Sequence, residues 1–183
     1  MSVTTAPAVM PVRANPFIRT VRALSTLCGW IAAALTVIAL FVTCHMIFVR
    51  AVLGQSTIWQ TEAVIYMMIA ATCLGLPYVQ MLRGHVNVDL VPLWLGPAAR
   101  RVLAYVVLLA TIAVVAVVAW YSWDVFHQAW RRNWKSPSVW APPLWIPYLA
   151  LPIGFGAFLL QLLADLIGLI TRSEAPFGIR EEG

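Results

Sequence analysis

Three histidines (His45, His85, His127), three cysteines (Cys28, Cys44, Cys73) and two carboxylates in apolar surroundings (Glu62, Asp165) are the side chains of this 183-residue sequence that could ligate, shuttle protons or attack a substrate. The cysteines are isolated, with no Cys-x-x-Cys pair and no Cys/His spacing suited to a metal, and read as small buried hydrophobes. No Gly-rich phosphate loop, Gly-x-Ser-x-Gly elbow or His-Glu-x-x-His motif occurs, so nothing supports ATP hydrolysis or hydrolytic catalysis. Haem held by two histidines needs imidazoles at matching depth on facing helices, and only His45 with His127 could approach that condition. The alternative for both is an interfacial histidine that hydrogen-bonds locally.

Glu62 is the most informative acid. It lies about four residues into an apolar stretch, within about 6 Å of one membrane interface, where an ionisable group is costly but can still snorkel. Arg50 and His45 come near the same level, so the readings open to Glu62 are an interhelical structural pair, a contact to another subunit, or a proton or ion relay. Asp165 follows Gln161 by four residues on the same helix face and reads as a polar contact between helices or subunits.

What must position these residues follows from composition. Apolar residues make up 62% and charged residues 10%, and the mean hydropathy is +0.85. A soluble domain carries about 45–50% apolar and about 25% charged residues, so the surplus has to face lipid. The same balance excludes intrinsic disorder. A net charge of +5 is of the sign that nucleic acid attracts, but the basic residues are spread over helix ends, so no nucleic-acid partner is expected. Uncharged apolar runs long enough to cross about 30 Å of hydrocarbon occur four times. The spans run over about 23–49, 58–82, 102–123 and 143–170, and no strict ten-residue alternation suggests a barrel. The expected architecture is all-α and integral to the membrane, with a flexible tail at 1–17, a four-helix domain at 18–172 and a second tail at 173–183. The first run is too long for a cleavable signal peptide and reads as a retained helix.

Placing the N-terminus inside collects Arg13, Arg19, Arg22, Arg83, Arg100, Arg101, Arg172 and Arg180 on the inner face. Arg50, Arg131, Arg132 and Lys135 then lie outside, so eight of the 12 basic residues favour both termini in the cytoplasm. Most of the nine tryptophans fall at the outer ends of helices, where an amphipathic indole prefers to sit. Among them Trp123, Phe126, Trp130 and Trp134, spaced 3, 4 and 4 apart, predict one helical face. Either the third helix continues to about residue 135 or a short interfacial helix lies in the outer loop. This face reads as an aromatic belt in the bilayer or as a docking surface for a partner. Small residues Ala150, Gly154, Gly156 and Ala157 on the last helix allow close packing within the unit or against a partner. In the inner loop, Arg83 ends the second span, Gly84 lets the chain leave it, and Asp89 is placed to cap a short interfacial helix carrying Leu90, Leu93 and Trp94.

At these residues the chain resembles the small membrane subunit, the DctQ type, of tripartite ATP-independent periplasmic (TRAP) transporters. The resemblance rests on four spans with both ends inside, Trp59-Gln60-Thr61-Glu62, Gly75-Leu76-Pro77-Tyr78, and the Trp145-Ile146-Pro147 and Leu151-Pro152-Ile153-Gly154 segments. It is sharpened by His85-Val86-Asn87-Val88-Asp89, which looks like that family's His-(Ile/Val)-x-Val-Asp signature, and covers about Ile18 to Ile170. Asn87 stands where the family often has Arg. The resemblance implies a non-enzymatic scaffold in the bacterial inner membrane, flanking a large multi-span subunit that carries the substrate and sodium sites, and served by a periplasmic solute-binding protein. It also implies sodium-driven import of organic acids, with no cofactor in this chain. Glu62, Arg83, Gly84, His85, Val88, Asp89 and Asp165 are then the family-motif or subunit-contact candidates. Two alternatives stand beside it: a self-sufficient proton-coupled transporter using Glu62, and a haem-binding anchor of an oxidoreductase.

His85→Ala or Asp89→Ala is expected to lower the yield of the assembled complex, or its uptake, by disturbing the loop elbow. Normal yield and uptake in both variants would refute that role.

Overall fold

The computed structural model describes residues 16–82 and 97–171. These residues form four α-helices: α1 (Pro16–Val52), α2 (Ile58–Met81), α3 (Pro97–Arg131) and α4 (Trp145–Ile170). All four are long and apolar enough to cross a membrane. Residues 1–15 of the expected first tail, the whole second tail and the inner-loop residues Arg83, Gly84, His85, Val88 and Asp89 lie outside the described residues, as does the short helix expected there, while Pro16 and Phe17 belong to α1.

The helix ends follow from local chemistry. α1 is already helical at Pro16, seven residues before the uncharged run, because Arg19 and Arg22 are good helix formers with side chains that snorkel. α3 contains neither Gly nor Pro after Pro97, so nothing interrupts it before Arg131. The separate interfacial helix expected in the outer loop is therefore not formed, and the aromatic segment is the last part of α3. α3 stops in a Schellman turn. The Trp134 N–H donates to the Ala129 carbonyl at 3.1 Å and the Asn133 N–H to the Trp130 carbonyl at 3.3 Å, with Asn133 at φ 48°. Trp134 thus lies beyond the helix, so the expected four-residue face ends at Trp130. In α4, Pro147 sits in the first turn, where no intrahelical donor is lost.

α4 is the centre of the bundle. Of its most apolar window 44% is buried, against 11%, 17% and 6% for α1, α2 and α3. It packs extensively on all three other helices, whereas α3 packs extensively only on α4. Lipid tails are as apolar as leucine, so close fit rather than the hydrophobic effect must join these helices. Val115, Phe158 and Leu162 form the buried cluster between α3 and α4, with Leu76 of α2 against it. Gly154 lets α4 approach the backbone of α2: a Cβ there would lie 2.5 Å from the Cys73 carbonyl oxygen. Ala157 is also buried, but Gly156 faces open space. The outward residues of α3, among them Val102, Val106, Leu109, Val114 and Val117, are exposed and apolar, as a lipid-facing surface requires.

Gly154→Ala is expected to destabilise the bundle by about 1–3 kcal/mol, because the clash is with backbone that cannot rotate away. Gly156→Ala should leave stability unchanged. Thermal unfolding of the detergent-solubilised protein checks both, and equal melting of the two variants would contradict the close approach.

Candidate functional site

The polar side chains inside the bundle gather at its two ends. At the end formed by the start of α1 and the close of α4, Ser25 Oγ donates to Gln161 Oε1 at 2.8 Å. Gln161 Nε2 donates to Asp165 Oδ1 at 2.8 Å, and Gln80 Nε2 of α2 donates to Asp165 Oδ2 at 2.9 Å. Carboxylate oxygens accept, so each Asp165 oxygen meets an amide nitrogen, and Gln161 is left with its oxygen for the serine hydroxyl. Ser25 and Gln161 are only 1% and 2% exposed, so these bonds form where water competes little. The Tyr105 hydroxyl of α3 reaches the Leu169 carbonyl at 3.4 Å at the same end. All four helices are thereby tied within a few turns of Asp165.

Glu62 occupies the opposite end. Its Oε1 accepts a 2.6 Å hydrogen bond from Ser136 Oγ, which joins the first turns of α2 to the α3–α4 loop. Arg50 and His45 are exposed, and neither forms an ion pair with Glu62. The serine is presented by a hairpin-like loop, in which Lys135 bridges Pro143, the Ser136 N–H donates to the Pro142 carbonyl at 3.0 Å, and the Leu144 N–H donates to the Trp134 carbonyl at 2.8 Å. Ala141 turns the tip at φ 43°, with its N–H on the Ser138 carbonyl at 3.1 Å. Glu62 Oε2 and Gln60 Oε1 are buried without a hydrogen-bond partner among the described residues. Sequence reasoning missed Ser136 and Gln60: a serine before Pro137 reads as a turn, and no spacing rule links positions 74 residues apart.

The aromatic residues line this end. Trp123, Phe126 and Trp130 follow one another along α3 with ring centroids 5.7 and 6.2 Å apart, and Trp130 meets Trp145 of α4 edge to face at 4.7 Å. Trp134 instead lies under the Arg132 guanidinium, whose carbon is 6.0 Å from the ring centre. On the other side, Trp59 of α2 contacts Trp140 of the loop at 6.4 Å and His45 of α1 at 6.5 Å. Among the described residues no group of three or more His, Cys, Asp or Glu could hold a metal ion. The geometry as a whole can fix helices against one another and offers no arranged nucleophile, acid–base pair or metal cage among the described residues.

A family model described as "Tripartite ATP-independent periplasmic transporters, DctQ component" matches residues 39–172. The chain is also 27% identical over 117 residues to an isethionate TRAP transporter permease protein, DctMQ, of Oleidesulfovibrio alaskensis. That match covers 64% of this chain and 18% of the relative, so the chain spans less than a fifth of that protein's length. No solved structure matches.

Ser136→Ala is expected to cost about 1–3 kcal/mol, because it leaves a largely buried carboxylate oxygen without its donor. Glu62→Gln should be milder, since an acceptor oxygen survives, and Glu62→Lys more severe. Thermal unfolding of the single variants and of the double Glu62→Ala, Ser136→Ala variant gives the coupling directly. Strict additivity would show that the two side chains do not interact.

Proposed function

The chain belongs to the DctQ component of the tripartite ATP-independent periplasmic (TRAP) transporters, and we propose that it is the fixed scaffold subunit of a sodium-driven importer of organic acids. The observation that carries this reading is the family match, which runs from the middle of α1 to the end of α4 and so takes in most of the membrane unit. In this reading a periplasmic solute-binding protein delivers the solute to a large multi-span membrane subunit. That subunit holds the substrate and sodium sites and performs the movement, and the present chain supplies a rigid flank without catalysis or cofactor.

Two further observations support it. A coupled transport pathway draws on broken helices and several convergent polar groups. Here Ser25, Gln80, Gln161 and Asp165 are engaged with one another, and Glu62 with Ser136. The O. alaskensis relative is named for isethionate, an organic acid anion, and extends far beyond the region matched. Such a length is in keeping with a division of labour between a small and a large membrane part. The excess of basic residues on one set of helix ends supports an inner-membrane protein with both termini cytoplasmic.

Mild solubilisation of a tagged chain from its native host is expected to bring down a much larger multi-span protein. Vesicles containing both, supplied with the binding protein, should take up an organic acid only under an inward sodium gradient. Recovery of a lone homodimer that transports by itself would overturn the scaffold reading. Uptake driven equally by a proton gradient without sodium would overturn the coupling.

A further inference from the structure

We propose that the end of α3 is a docking site for anionic phospholipid, in which Arg131, Arg132 and Lys135 hold the headgroup phosphate just beyond the aromatic run Trp123–Phe126–Trp130. Depth is the first reason. The stretch Arg101–Arg131 is 31 residues long, about 46 Å at 1.5 Å per residue, close to the roughly 40–45 Å of a bilayer with its headgroup layers. With Arg101 in one headgroup layer, Arg131 reaches the other. Trp130, 55% exposed, directly precedes Arg131 and Arg132, and exposed indoles settle at the boundary of hydrocarbon and headgroup. The three cations follow on the water side of that indole, which is where lipid phosphates lie.

Charge is the second reason. All three cations are exposed, and none forms an ion pair among the described residues. The nearby acid, Asp124, accepts a 2.7 Å hydrogen bond from Gln128 one turn along the same helix. Asp124 is one acid against three cations, so a net-negative headgroup is still attracted, whereas a zwitterionic one brings its own cation and gains less.

The cluster is also held in place. The Schellman turn at Asn133 fixes the direction in which the chain leaves Arg131 and Arg132, and Lys135 is bridged to Pro143. Arg132 lies over the Trp134 ring. The ring keeps the Arg132 cation near this level, and a planar guanidinium can grip two phosphate oxygens. The continuity of the aromatic run into the basic cluster favours lipid as the occupant, because one molecule can then place its chains along the rings and its phosphate on the cations.

This inference does not depend on the transport reading. Its test is lipid retention by the whole assembly. The tagged chain, purified with whatever accompanies it, is equilibrated with vesicles of equal parts phosphatidylglycerol and phosphatidylethanolamine, re-solubilised and washed. The lipids kept are then measured by mass spectrometry. Each charge removed is expected to lower phosphatidylglycerol retention about fivefold. The triple variant Arg131→Gln, Arg132→Gln, Lys135→Gln should therefore lose about a hundredfold, with phosphatidylethanolamine unchanged and elution still monodisperse. If the triple variant does not fold, the three single variants supply the same measurement. An unchanged ratio of the two lipids would overturn the proposal. So would a variant that keeps its phosphatidylglycerol but no longer binds the periplasmic solute-binding protein, since the cluster would then belong to a protein contact.

Discussion

A carboxylate carried into a bundle surrounded by lipid has to be satisfied by the bundle, and the position of Asp165 shows how strongly that condition shapes the rest. Its two oxygens take amide hydrogens from Gln80 on α2 and Gln161 on α4, and Gln161 then has one oxygen left, which receives the Ser25 hydroxyl of α1. Each donor has one geometry that serves the acid. Sliding α1, α2 or α4 by a single residue, about 1.5 Å, would break at least one of these bonds in a region of low dielectric. The register of three helices is therefore set by one residue near the end of the most buried helix. Close packing completes what the bonds begin, as where Gly154 admits the backbone at Cys73.

The opposite end is secured differently. There the tie runs through a loop, from Ser136 to Glu62, and the loop is itself held by the Lys135–Pro143 bridge and by the Leu144 bond to Trp134. α3 has only a small share of the core, yet it is fixed at both ends: by Tyr105 on Leu169 at one, and by Trp130 on Trp145 at the other. Val115 at its middle meets Phe158 and Leu162. A helix pinned at three levels along one side can leave the other side to lipid without swinging free.

Much of this arrangement is legible in the sequence, for physical reasons that differ by element. The four helices are visible because twenty or so uncharged residues in a row have few other uses. Glu62 and Asp165 stand out because ionisable groups in such runs are rare, and Gln161 is visible as the i−4 neighbour of Asp165. Their partners are less accessible. Gln80 lies 85 residues from Asp165, and Ser136 is separated from Glu62 by the whole of α3. Trp134 falls on the face predicted by spacing alone, yet the left-handed turn at Asn133 takes it off that face. The loop elbow from Arg83 to Asp89, the richest motif in the sequence, lies outside the described residues.

The two ends together bear on what kind of partner such a unit can serve. A subunit that changes shape during transport needs alternative arrangements of similar energy, with polar groups able to exchange one set of contacts for another. In this chain the Asp165 network joins three helices through bonds among buried and half-buried polar groups, and a second arrangement would leave those groups without their partners. The energetic preference is for one arrangement. The outward faces of α1 and α3, where Leu40, Phe41 and Val114 are exposed, are largely apolar and offer little to resist a neighbour sliding along them. A rigid interior with a largely apolar exterior suits the stationary member of a pair in which the other moves, which is the role proposed above.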